Sequence, residues 1–123
     1  MDIYNLVVEF QKKVLNNKPY FDLPNDQEFL FMVNTLEEEL QEFKDGYKNK
    51  SYNEMADALI DLIYFALGHS FRMGINFNNN FLLVHKANMK KIKAKTNRGE
   101  TDAEKPEGWQ EPEFKSTLKM PIL

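Results

Sequence analysis

The chain has 123 residues and a mass of 14.5 kDa, enough for one domain with one real core, and about two-thirds of its unfolded surface would be buried. With 16 basic against 19 acidic residues the net charge is -3, which excludes a nucleic-acid binder working by bulk charge. Zero cysteines exclude a disulfide scaffold, a thiolate zinc site and a cysteine nucleophile, and they fit a reducing, cytoplasmic setting. No apolar run approaches the roughly 18 residues of a membrane span, and Met1-Asp2-Ile3-Tyr4 has neither the basic region nor the cleavage site of a secretory signal. The expected partners therefore include neither nucleic acid nor membrane.

Four segments carry helical periodicity and none a sustained strand alternation, so an all-α fold is expected. The first spans about 2–15, with Ile3, Leu6, Val7, Phe10 and Val14 on one stripe; Asn16-Asn17-Lys18-Pro19 stops it. The second spans about 27–44, capped by Asn25 or Asp26, with Phe29, Met32, Val33, Leu36, Leu40 and Phe43 facing inward and Asp45-Gly46 ending it. Ser51 stands three before Glu54, a capping-box pattern that opens a third helix running to Met73, which Gly74 ends. A fourth, about 79–93, starts after Asn76 or Asn78 with a stripe of Phe81, Leu82, Val84, Met89 and Ile92. From 96 to 123, Gly99, Pro106, Gly108 and Pro112 break any period. That tail is irregular, but it holds the only tryptophan, Trp109, so part of it packs. One domain is expected over 1–123, with a helical core over 2–95.

The third helix holds the sharpest signal. Between Met55 and Leu67, 11 of 13 residues are apolar, and the exceptions are Asp57 and Asp61. Glu54, Asp57 and Asp61 are spaced three and four apart, so they form one stripe. A helix apolar nearly all round is central in its fold, and carboxylates there cost several kcal/mol each unless paired. No Lys or Arg lies between Lys50 and Arg72. The second helix carries Glu37-Glu38-Glu39-Leu40-Gln41-Glu42. Packed antiparallel across a connection of about nine residues, Glu38, Glu39 and Glu42 would face Glu54, Asp57 and Asp61. A divalent cation makes such a cleft favourable, and all-oxygen ligation points to Mg²⁺, with Mn²⁺ as a substitute, over zinc. The rival is a structural cluster held by Arg72, Lys44 or Lys48, which sit at helix ends.

Other metal chemistries lack their spacing. Ala66 precedes His69 by three and Leu82 precedes His85 by three, so the Glu-x-x-His of di-iron bundles is missing. The EF-hand, HExxH, Walker and GxSxG patterns are also missing. His69 is read as a packed histidine. The fourth helix adds cations: His85 and Asn88 share a face, as do Asn88 and Lys91, with Lys90 beside them, a rim that suits a polyphosphate.

Taken together, Glu38-Glu39-Leu40-Gln41-Glu42 and Glu54-Met55-Ala56-Asp57, with the extra acid Asp61, resemble the EExxE and ExxD motifs of the all-α nucleoside triphosphate pyrophosphohydrolases, the MazG-like and phosphoribosyl-ATP pyrophosphohydrolase-like superfamily. The stretch from Val84 to Lys91 resembles that superfamily's phosphate-binding segment, and Lys105 to Pro112 a C-terminal loop of its small branch. Gln11 falls where relatives carry a substrate-facing polar residue. The gap from Glu42 to Glu54 is short for the family, which implies a tight hairpin. The resemblance implies an antiparallel four-helix bundle-like fold, assembled as a dimer or dimer of dimers. It implies hydrolysis of a (d)NTP to the monophosphate and pyrophosphate. In that scheme Glu39, Glu42, Glu54 and Asp57 hold magnesium, Glu38 or Asp61 handles the water's proton, and Asn88, Lys90, Lys91, Gln11 and His85 meet the substrate. Two alternatives stay open: phosphoribosyl-ATP hydrolysis in histidine biosynthesis, and a non-catalytic metal-binding helical protein.

Overall fold

The computed structural model describes residues 1–93 and 102–114. It is all-α, with four helices among the described residues: α1 (Ile3–Lys13), α2 (Asp26–Lys48), α3 (Tyr52–Met73) and α4 (Phe77–Asn88). The chain divides into two compact units. One holds α1 to α3, within Met1–Ile75, and the other holds α4 and a short strand pair, within Asn76–Ser116.

In the first unit the caps follow the sequence. Asp2 accepts from the Asn5 amide at 3.1 Å and opens α1, and Asn25 accepts from the Glu28 amide at 2.8 Å and opens α2. Ser51 accepts from the Glu54 amide at 3.1 Å, so the forward half of the expected capping box forms. The return half does not: the Ser51 amide donates to the Gly46 carbonyl, and the Glu54 carboxylate takes the Asn49 side-chain amide at 3.2 Å. At the end of α3, Gly74 has φ +80, and the amides of Gly74 and Ile75 close onto the Phe71 and Ser70 carbonyls.

Helix α2 does not stop at Asp45-Gly46 as the sequence suggests. It runs through Gly46 to Lys48, and the connection to α3 is residues 49–51, not nine. Gly46 is buried against α3, and a Cβ there would sit 3.0 Å from the Glu54 Cβ and the Met55 Cγ. Its missing side chain serves close helix approach rather than a left-handed cap. The cap falls instead on Lys50 at φ +51, whose amide donates to the Tyr47 carbonyl.

Contacts along the hairpin fix its register. Glu28 meets Arg72, Thr35 meets His69, and Gly46 meets Glu54, so α2 and α3 are antiparallel over their whole length. On its other side α3 receives α1: Val7 is fully buried, and Phe10 stands edge-on to Tyr64 at 5.5 Å. This makes α3 the central helix of the unit, as its composition predicts. Burial is narrower than the stripes suggest, however. Val7, Met32, Ala58, Leu67 and Phe71 form the core, whereas Ile3, Leu6, Val14, Phe29 and Leu40 stay largely exposed.

In the second unit, α4 starts two residues early and ends at Asn88, not Lys93. Ile92 and Lys93 then pair antiparallel with Glu104 and Ala103 in a two-residue ladder, which no alternation announces. The buried residues of α4 are Asn80 and Ala87, while Phe81, Leu82, Met89 and Ile92 are exposed. Trp109 packs as expected: its indole Nε1 donates to the Ala87 carbonyl, and the Lys91 and Lys105 ammonium groups each lie over its ring, 5.0 Å from the centroid. Residues 94–101 and 115–123, which include most of the expected irregular tail, lie outside the described residues.

Candidate metal centre

The antiparallel register brings the acidic stripes of α2 and α3 opposite each other. One carboxylate oxygen from each of Glu39, Glu42 and Asp61 lies within 4.8 Å of the others, close enough to share one cation. Asp57 and Glu54 continue the stripe toward the hairpin end. With Glu42, Asp45 and Asn49 they line an open pocket of about 300 Å³. The expected carboxylates come together along one seam, but in a different grouping: Asp61, expected to act on water, is in the tight triad, while Glu54 and Asp57 line the adjoining pocket. Glu38, one residue from the triad, is exposed on α2.

Electrostatics mark Glu39 as the strained member. Its Oε2 is shut off from solvent and has no hydrogen-bond partner. Burial, then the Glu42 carboxylate beside it, then Asp61 and Asp57, push its proton affinity up to about 7. Asp61 is raised too, by burial and then by Asp57 and Glu42. No Lys, Arg or His among the described residues pairs with Glu39, Glu42, Glu54, Asp57 or Asp61. Arg72, the strongest candidate for a structural partner, is engaged elsewhere: it meets Glu28 at 3.2 Å, the Lys18 carbonyl at 2.8 Å and the Tyr20 ring at 5.3 Å. A buried, unpartnered carboxylate oxygen amid three other acids fits a hard divalent cation.

Gln11 lies on α1 with its Oε1 accepting from Asn17 Nδ2 at 2.9 Å. Its Nε2 rests 2.6 Å from where a Cβ on Gly68 would stand, so that glycine makes room for it. His85, Asn88, Lys90 and Lys91 belong to the second unit. Lys90 and Lys91 lie beyond the last turn of α4, so Lys91 does not share a helical face with Asn88, and it faces Trp109. His69 is packed, as read: its Nε2 is 2.8 Å from Thr35 Oγ1.

Three pocket features escape the sequence reading. Asp45 and Asn49 fall in its loop, yet they line the site, with Gln41 donating to Asp45 at 3.0 Å. Gly46 sets how closely α2 approaches α3 at Glu54. Continuing the period of Leu36, Leu40 and Phe43 one turn to Tyr47 would have kept α2 helical and found all three.

Residues 7–88 match the family model described as phosphoribosyl-ATP pyrophosphohydrolase, within the all-α nucleoside triphosphate pyrophosphohydrolase superfamily. The match spans α2, α3 and α4 whole and α1 from Val7. No curated protein matches the chain. Two acidic helices in antiparallel register, their carboxylates converging with no cationic partner among the described residues, agree with that match over two-thirds of the sequence: the chain belongs to the phosphoribosyl-ATP pyrophosphohydrolase family.

Proposed function

We propose that the chain is a magnesium-dependent nucleoside triphosphate pyrophosphohydrolase, cleaving between the α and β phosphates to give the monophosphate and pyrophosphate. The observation that carries this reading is the convergence of Glu39, Glu42 and Asp61 around an unpartnered buried oxygen, in a family of pyrophosphohydrolases. Glu39, Glu42 and Asp61 would hold Mg²⁺, with Asp57 and Glu54 offering further oxygens from the adjoining wall. Bound there, the cation would neutralise phosphate charge and make a water more acidic. Glu38, exposed on α2 one residue from the triad, would accept the proton of the attacking water. Asn49 holds the Glu54 carboxylate, and Asp45 is held by Gln41. By the family resemblance alone, Lys90, Lys91, Asn88 and His85 would be donors to the phosphate chain, and Gln11 would offer an amide. The active form is a homo-oligomer, because large apolar side chains on α2 and α3 remain uncovered in one copy.

The family match also favours phosphoribosyl-ATP as substrate, since that molecule presents the same anhydride. Pyrophosphate release from a panel of NTPs, dNTPs and phosphoribosyl-ATP, with Mg²⁺ and with EDTA, tests both. Turnover of a triphosphate that EDTA abolishes supports the first reading. Turnover of phosphoribosyl-ATP alone replaces it with the second, and metal binding without turnover of any nucleotide refutes both.

A further inference from the structure

One turn from the carboxylates the hairpin changes character. Moving from Glu39 to Thr35 on α2 and from Asp61 to Phe65 on α3 advances about 6 Å along each axis, and the antiparallel register makes both steps run the same way. That offset is about the width of a sugar ring. One turn further lie Phe31 and His69. The His69 ring stacks on Phe65 at 6.0 Å with an interplanar angle of 24°, and Phe31 stands edge-on to it at 6.1 Å and 79°. Phe31 is 55% exposed, whereas Phe71 of the same helix pair is 6% exposed, so the cluster opens outward at Phe31 while Phe65 and His69 stay half-buried behind it.

Hydrogen bonding fixes the histidine. Thr35 has one hydroxyl proton and donates it to the Met32 carbonyl at 2.8 Å. The 2.8 Å contact between Thr35 Oγ1 and His69 Nε2 then requires the proton on Nε2, which leaves Nδ1 as an acceptor. The ring is neutral at physiological pH because burial lowers its proton affinity.

We infer that Phe31, Phe65 and His69 form the nucleobase-stacking face of the site, with Thr35 as the residue that positions the His69 ring. This rests on the nucleotide reading above. Aromatic stacking tolerates any base, since every base has a π-face, and favours those with the larger ring system. The face therefore accepts several nucleotides and prefers purines over pyrimidines.

The test is the KM of wild type and Phe31→Ala for a purine and a pyrimidine triphosphate, beside the inhibition constant of inorganic tripolyphosphate, which has no base. The expected result is a KM rise of about tenfold or more for the purine nucleotide, a smaller rise for the pyrimidine, and an unchanged tripolyphosphate constant. Val14→Ala, at an apolar side chain 66% exposed at the end of α1, should move none of these. Unchanged nucleotide KM values in Phe31→Ala overturn the inference, as does a parallel loss of tripolyphosphate binding or an equal effect from Val14→Ala. A wild-type chain that releases pyrophosphate normally while Phe31→Ala behaves like it sinks the stacking face alone. A wild-type chain inert toward every nucleotide sinks the parent reading as well.

Discussion

Glu39 holds a carboxylate oxygen away from solvent with no donor to meet it, so it keeps its proton up to about pH 7. An ordinary glutamate loses its proton near 4.5, so between about 4.5 and 7 the folded chain binds more protons than the unfolded one. The stability from this group is therefore complete below about 4.5 and lost as pH rises through 7. Metal-free protein should melt at a lower temperature at pH 8 than at pH 5.5 by this contribution, and Mg²⁺ should restore more at pH 8, because it binds the ionised form. A thermal-shift series in EDTA and in Mg²⁺ measures both slopes; an equal metal effect at both pH values would disprove the assignment. Glu39→Gln should raise the metal-free melting temperature at pH 8 by removing an unpaired charge, and lower turnover by about two orders of magnitude or more. At this scale the sequence is informative: three carboxylates in an apolar helix without a nearby cation announce a cost that something must meet. It does not show which three converge, since that depends on interhelical register and on whether each acid faces the seam or its rim.

The hairpin places those groups, and its geometry hinges on Gly46. The sequence suggests a helix stop because Asp-Gly is a common terminator, but packing overrides local propensity: α3 needs a residue without a side chain at that level. Gly46→Ala brings a Cβ to 3.0 Å from Glu54 and Met55 and should destabilise the hairpin by about 1–3 kcal/mol, less the roughly 1 kcal/mol alanine gains in a helix. Denaturant unfolding measures the net change; a stability gain of about 1 kcal/mol would mean that propensity alone governs the position. Gly74→Ala should cost more than the left-handed strain alone, because φ is +80 and its Cβ would run into the Phe21 ring. That glycine is legible as a helix end, since its role is local. The end of α4 is not: Ile92 and Lys93 continue the helical period, and only pairing with the distant Ala103 and Glu104 draws them into a ladder.

At the scale of the whole molecule, large apolar side chains stand exposed on α2 and α3 among the described residues. Leu59, Ile60 and Ile63 lie on α3, with Ile60 61% exposed, and Phe29 and Leu30 add to the apolar surface of α2. Composition points to a central third helix, and α1 and α2 cover only part of it. Sedimentation should show a homo-oligomer, and Ile60→Lys should shift it toward monomer; a wild-type monomer at micromolar concentration would refute the assembly. The all-α class is legible from the spacing of apolar residues and the family from the resemblance of the acidic motifs, whereas the narrow core is not, because stripe periodicity does not distinguish a face turned inward from one left exposed. The most direct test of the central claim is a Mn²⁺ titration followed by loss of the free-ion EPR signal, in wild type, Asp61→Asn and Glu37→Gln. Wild type should bind the ion, Asp61→Asn at least about tenfold more weakly, and Glu37→Gln, outside the triad, as well as wild type. Equal binding by all three proteins would contradict the claim.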